Sequence, residues 1–296
     1  MAVVPVAGMG TRLLPATKSQ PKEMLPVGRK PVVQYVVEEL GKAGVQQLLF
    51  ITGPGKVSIE NHFDLNHELT ELLRSTGKEE LLAELAFERA GMEYFYTRQR
   101  ELLGLGHAIM CAEPFVRKEP FVVALGDSII GLQSKSTIVK RMTECFRTKG
   151  ADAVIAFQEV PRQEVFRYGI ARTSEHGEVF EVEDLVEKPP VEEAPGNLAI
   201  AARYILKPEI FEALKRTRPG TGNEIQLTDA IRLLMREGAR VYGVRLGKED
   251  TRYDIGNFGS YFKAFTEFAV SDEKFGPEMR AYLKSLVDNN FKGPCS

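Results

Sequence analysis

Val3-Val4-Pro5-Val6-Ala7-Gly8-Met9-Gly10-Thr11-Arg12-Leu13-Leu14-Pro15 carries a short apolar run straight into a glycine-containing loop. The β-branched residues favour a buried strand, and Pro5 predicts that it ends early or is irregular. Gly8 and Gly10 allow the backbone to approach a ligand closely and to present N–H groups to oxygens. Arg12 adds a fixed cation, and Lys18 and Lys22 follow within ten residues. Cations clustered after such a turn suit a polyphosphate, although a tight turn with solvated basic residues would produce the same letters. The loop is not a dinucleotide fingerprint, because Leu13 occupies the third glycine position. Nor is it a P-loop, because no Gly-Lys-Ser/Thr follows at the required spacing.

Outward from this loop, strands alternate with helices. Val32–Ala43 carries apolar residues at 32, 33, 36, 37 and 40, a helical stripe stopping near Gly44, and Gln47–Thr52 reads as a strand. Leu65–Ala90 is acidic and periodic, predicting two exposed helices split at Gly77. Met92–Thr97, Phe121–Leu125 and Ala153–Phe157 predict buried strands, with helices at Ala108–Phe115 and Thr137–Lys149 between them. Such alternation predicts an α/β fold, a mainly parallel sheet with helices on both faces and its ligand at the strands' carboxyl ends. From Tyr168 the pattern changes. Tyr168–Thr173 and Glu178–Glu187 predict a β-hairpin across Ser174-Glu175-His176-Gly177. A strand at Ala199–Leu206 and helices at Pro208–Lys215, Gln226–Glu237, Tyr261–Ala269 and Pro277–Asp288 follow. No linker or repeat interrupts the chain, so one domain is expected over 1–296, its core about 1–256 and a helical extension about 257–296.

Composition narrows the function class. The 296 residues hold 39 Lys and Arg against 41 Asp and Glu, a net charge of −2. No global cationic field exists to attract nucleic acid or anionic lipid, so any anion site is local. Three cysteines, Cys111, Cys145 and Cys295, lack the spacing of a disulfide framework or zinc site. With no signal peptide and no apolar run long enough for a membrane span, the expected compartment is the cytoplasm.

The segment from Ala7 to Lys18, followed by Pro21-Lys22-Glu23-Met24-Leu25-Pro26, resembles the signature loop of the sugar-1-phosphate nucleotidyltransferases, in their uridylyl-transferring branch. The likeness continues through Gln34-Tyr35-Val36-Val37-Glu38-Glu39, Ile59-Glu60-Asn61-His62-Phe63-Asp64, Gly104-Leu105-Gly106-His107-Ala108, Val186-Glu187-Lys188-Pro189 and Glu224-Ile225-Gln226-Leu227-Thr228-Asp229. It implies a Rossmann-like three-layer nucleotidyltransferase domain with a β-hairpin insertion and C-terminal helices. The implied reaction joins UTP and glucose 1-phosphate into UDP-glucose and pyrophosphate with Mg²⁺, in a homodimer or homotetramer.

The resemblance also implies roles. Arg12, Lys22 and Lys188 would be catalytic, and Ala7, Gly8, Gly10, Thr11, Glu23, Gln99 and Gly104 would bind the nucleotide. Gly169, Glu187 and Lys188 would bind the sugar phosphate, and Asp127 and Asp254 the metal. On its own letters, Asp127 closes an apolar strand and suits either a hard cation or a helix N-cap. Asp254 before Gly256 suits a turn, and Glu187-Lys188 reads as a solvated pair. Gln99 offers both a donor and an acceptor to a base edge, whereas His107 reads as structural. Ala202 stands where the family usually has glycine, and Asn223 and Ser128 are smaller departures; they bear on sugar specificity rather than reaction type. A thymidylyltransferase and a non-catalytic nucleotide-sugar-binding homologue are the alternatives, and a dehydrogenase fails at Leu13.

Overall fold

The computed structural model describes residues 1–89 and 91–288. Cys295 and the end of the predicted extension lie outside the described residues. In chain order the strands are β1 (Ala2–Pro5), β2 (Pro26–Val27), β3 (Lys30–Pro31), β4 (Gln47–Thr52), β5 (Glu93–Arg98), β6 (Phe121–Ala124) and β7 (Ser128–Ile130). They continue with β8 (Ala153–Glu159), β9 (Gly169–Arg172), β10 (Val179–Glu181), β11 (Asp184–Glu187), β12 (Leu198–Leu206), β13 (Val241–Arg245) and β14 (Arg252–Asp254). The helices are α1 (Val32–Lys42), α2 (Val57–Phe63), α3 (His67–Ser75), α4 (Glu79–Glu84), α5 (Leu105–Met110) and α6 (Glu113–Val116). After them come α7 (Ile138–Lys149), α8 (Glu209–Arg216), α9 (Leu227–Arg236), α10 (Phe258–Val270) and α11 (Gly276–Asp288). None of the described helices is long and apolar enough to cross a membrane.

The central sheet runs β10-β13-β8-β12-β6-β1-β4-β5. β5, β4, β1 and β6 pair in parallel, as do β13 and β8, whereas β12 runs antiparallel to both β6 and β8. The expected mainly parallel sheet is therefore present, with β12 reversed inside it. Strand alternation explains the layering. Ala2 and Val4 of β1 enter one core with Leu48, Phe50, Val33, Val36 and Met142, between the sheet and α1 and α7. Val3 enters the opposite core with Leu49, Ile51, Ile109, Leu214 and Ile231, under α5, α8 and α9. Burial on both faces is what makes these strands read as unbroken apolar runs.

A third core of Leu13, Leu25, Val27, Tyr35, Ile129, Tyr253, Ile255 and Phe268 seats α10 beside the first loop. Phe268 is thus a core residue, whereas Phe262 and Phe265 on the same helix are exposed.

Four sequence readings need correction. Met92–Thr97, expected as a buried strand, is the edge strand β5, with Glu93, Phe95 and Arg98 exposed. The helix predicted over Ala108–Phe115 starts earlier, at Leu105, and breaks after Met110, with Pro114 inside the short α6. The run Glu178–Glu187 is not one hairpin arm. β10 pairs with β13, while only β11 pairs with β9. The switch falls between consecutive residues: Val182 N–H donates to Val241 O and Glu183 N–H to Arg172 O, both at 2.9 Å. Finally, Asp127 caps no helix; the chain continues directly into β7.

Candidate functional site

The loop after β1 is held at both ends. Val6 N–H bonds to Ile51 O at 2.9 Å, extending the β1–β4 pairing, and Leu13 is fully buried in the third core. Between them Gly10 adopts φ 67°, a left-handed turn that glycine enters without penalty, and its carbonyl accepts the Thr17 hydroxyl at 2.8 Å. The loop walls a cleft of about 460 Å³ that Ala7, Gly8, Gly10, Thr11, Lys22, Glu23, Gln99, Gly104 and Asp127 line together. Nine of the expected residues, drawn from three strand ends, meet in one place. A larger cleft of about 870 Å³ between α1 and α4 contains none of them.

Asp127 leaves the carboxyl end of β6, and its neighbour Ser128 pairs with Asp254 across the antiparallel β7–β14 ladder. Ile255 N–H donates to Asp127 O at 2.9 Å. Asp254 thus lies in the ladder and Asp127 one residue outside it, so two carboxylates far apart in sequence both act on Lys22. The Lys22 ammonium bonds directly to Asp127 Oδ2. Burial works against the charge of both partners. Their mutual attraction outweighs it, with Glu23 and Asp254 also raising the Lys22 pKa, so Lys22 lies above its ordinary value and Asp127 below. A Cβ on Gly256 would lie 3.2 Å from Asp254 Oδ2 and 3.4 Å from an Arg12 guanidinium nitrogen, which shows both side chains closing over that glycine.

The second part of the cleft is the loop after β5. Gln99 is buried, and its Nε2 donates to Gly104 O and His107 Nδ1, both at 3.0 Å. Its donor group is thus used internally and Oε1 is left for a ligand, a narrower capacity than the sequence suggests. His107 holds the Gln99 side chain from the first turn of α5. Gly104 has φ 95°, and a Cβ there would fall 2.6 Å from Glu224 Cβ. That approach is what the Glu224-Ile225 motif provides: Gly106 N–H bonds Ile225 O, and Ile225 N–H bonds Leu103 O, both at 2.8 Å.

Gly169 and Glu187 are direct partners in the β9–β11 ladder. Glu187 accepts the Thr228 hydroxyl at 2.7 Å and lies 3.4 Å from the Lys188 ammonium. Lys188 is backbone-strained at φ 45°, and its N–H is bonded to Tyr168 O at 3.0 Å. Gly169, Glu187 and Lys188 do not line the first cleft. Arg252, which sequence reasoning missed, joins the two regions: its Nε donates to Ser128 Oγ at 2.9 Å and its guanidinium lies 5.3 Å from the Tyr168 ring centre. Ala202 has φ 60° at a β-bulge in β12, so the geometry usually given to glycine is kept by an alanine.

Comparison with known proteins gives the family and the fold. The family profile described as "Nucleotidyl transferase" matches residues 1–270. The chain is 45% identical over 292 residues to the UTP–glucose-1-phosphate uridylyltransferase YngB of Bacillus subtilis, covering 98% of this chain and 96% of that protein. A UTP-bound UDP-glucose pyrophosphorylase structure from Acinetobacter baumannii superposes with a TM-score of 0.86 at 36% identity, covering 96% of this chain and 98% of the other. A UDP-glucose pyrophosphorylase complexed with UDP-glucose gives 0.80 at 37% identity, with the same coverages. With the family profile covering residues 1–270 and near full-length likeness at 45% identity, the chain belongs to the nucleotidyl transferase family.

Proposed function

We infer that this chain transfers the uridylyl group of UTP to glucose 1-phosphate, giving UDP-glucose and pyrophosphate, with residues 1–296 forming a single domain whose core spans about 1–256. The observation that carries the reading is the shared cleft of the glycine loop, Lys22 and Asp127, with the Glu187-Lys188 strand end joined to it through Arg252. The names of the relatives supply the substrates.

The sugar phosphate is already an anionic nucleophile, so the reaction needs neither a covalent intermediate nor a general base. The problem is to bring two anions together in line and to stabilise the departing pyrophosphate, which is a matter of positioning and electrostatics. Backbone N–H groups at Gly8, Gly10 and Thr11 with Ala7 would cradle the triphosphate, Arg12 and Lys22 would hold its outer phosphates, and Glu23 would support the loop. Gln99 Oε1 would accept a hydrogen bond from the uracil imide, with Gly104 allowing the base to approach. Lys188 would hold the attacking phosphate, and Glu187 with Gly169 the sugar hydroxyls.

Asp127 and Asp254 would hold Mg²⁺. The fit rests on two carboxylates brought together at the end of the β7–β14 ladder, Asp254 in the ladder and Asp127 one residue outside it, both acting on Lys22. The Lys22 ammonium bonded to Asp127 Oδ2 would move to the phosphates when the cation binds. When bound, Mg²⁺ supplies charge neutralisation for the phosphates through hard oxygen contacts. The exposed Phe262 and Phe265 suit a homodimer or homotetramer contact, and the free Cys111 and Cys145 suit the reducing cytoplasm.

A pyrophosphate-release assay across nucleoside triphosphates and sugar 1-phosphates, with and without Mg²⁺, tests the whole reading. UTP with glucose 1-phosphate should give the highest kcat/KM. A strong preference for dTTP would replace uridylyl by thymidylyl transfer, and no release with any pair would leave a binding protein.

A further inference from the structure

Lys56 follows β4 in the turn Pro54-Gly55, and nothing in the neighbouring letters marks it. The residue is only 5% exposed, and a cation buried to that degree needs partners. It has two: Gly8 O at 2.7 Å and Glu23 Oε2 at 2.9 Å. Both acceptors belong to residues that line the nucleotide cleft. The Gly8–Met9 peptide is planar and trans, so its C=O and N–H point in opposite directions. Pinning the Gly8 carbonyl to Lys56 therefore turns the Met9 N–H to the side away from Lys56. Glycine at position 8 gives that peptide unusual freedom to rotate. If released, it could turn a carbonyl oxygen, a repulsive dipole, toward the phosphates.

We propose that Lys56 is a positioning residue for the nucleoside triphosphate, locking the Gly8 carbonyl so that an N–H donor, not an acceptor, faces the phosphate chain. This rests on the uridylyl-transfer reading. Lys56 acts through Gly8 and Glu23 and does not itself touch the substrate.

The test measures UTP affinity by calorimetry, and steady-state KM, in wild type, Lys56→Met, Lys56→Arg, Glu23→Gln and the double variant Lys56→Met/Glu23→Gln. The double variant removes the buried carboxylate that Lys56→Met alone would leave unpaired. Lys56→Met should weaken UTP binding at least tenfold and raise KM for UTP to match, with KM for glucose 1-phosphate unchanged. Lys56→Arg should recover part of the loss, and the double variant should bind UTP about tenfold more weakly than Glu23→Gln alone. A fall in melting temperature with UTP affinity preserved, or a double variant equal to Glu23→Gln, overturns the proposal. Wild-type protein that does not bind UTP sinks the transfer reading and this inference with it. Wild type that binds alongside equally competent variants sinks this inference alone.

Discussion

Arg203 grips Glu39 in the sealed interior, Nε to Oε1 at 3.1 Å and NH2 to Oε2 at 2.7 Å, across 164 positions of sequence. The same guanidinium donates to Ser128 O and Ala202 O, both at 3.0 Å, so the β12 bulge, α1 and β7 share one charged hub. A buried pair of this kind adds little over a well-packed apolar replacement, but removing one partner strands a charge. Glu39→Ala should destabilise the protein by about 3–5 kcal/mol in urea unfolding, and Glu39→Leu with Arg203→Met should recover much of that. Equal losses in the single and double variants would contradict this.

Asp127→Asn keeps the shape of the side chain but removes the charge that faces Lys22. The barrier should rise by about 3 kcal/mol, roughly a hundredfold in kcat, and the Mg²⁺ concentration giving half-maximal rate should climb. Pyrophosphate release against Mg²⁺ measures both.

Lys188→Ala should raise KM for glucose 1-phosphate by about tenfold to a hundredfold, the worth of one charge-assisted hydrogen bond, with little change in KM for UTP. The two-substrate kinetic matrix separates these effects. A change confined to UTP would place Lys188 in the other half of the site.

Gly104→Ala would place a methyl 2.6 Å from Glu224 Cβ and 2.9 Å from Ile225 O, at a φ that side chains disfavour. The loop must shift, and kcat/KM for UTP should fall at least tenfold while KM for the sugar phosphate stays nearly constant. Unchanged UTP kinetics would show that this loop does not face the base.

His62 stacks on Phe87 with ring centres 4.8 Å apart and bonds Gln34 through Nε2 at 3.0 Å, and burial pushes its pKa down to about 4. The unfolded chain therefore binds the proton first, near the ordinary histidine value of about 6.5. The contribution of His62 is complete above that pH and is lost as pH falls toward 4. The urea midpoint of wild type should drop more steeply over this window than that of His62→Gln; parallel curves would refute it.

What was legible in the letters follows from where strong local signals sit. β1, β4 and β6 announce themselves because both of their faces are buried, and Gly10 marks the loop because its left-handed turn favours glycine. The family's motif order pointed to Asp127, which lines the cleft, and to Lys188, which lies outside it beyond the end of β11. β7 and β14 were hidden because each is three residues long and is defined only by its distant partner. β10 and β11 merged into one arm because Val179, Phe180, Val182 and Leu185 keep an apolar rhythm across the point where the chain changes neighbours. Arg252, Arg203 and Lys56 were invisible for a related reason: a buried cation is recognisable only once its acceptors, supplied by remote segments, are in place.

The bond from Ile255 to Asp127 carries a consequence for biosynthesis. Since Asp254 reaches its neighbour through a ladder closed by the last quarter of the chain, a nascent polypeptide can expose β1 and its glycines long before it possesses both carboxylates or the Tyr253, Ile255 and Phe268 that bury Leu13. Ribosome-bound fragments ending before residue 254 should therefore be catalytically silent, and activity should appear only after β14 has emerged and zipped onto β7. Emergence of one short strand would act as the enzyme's completion signal.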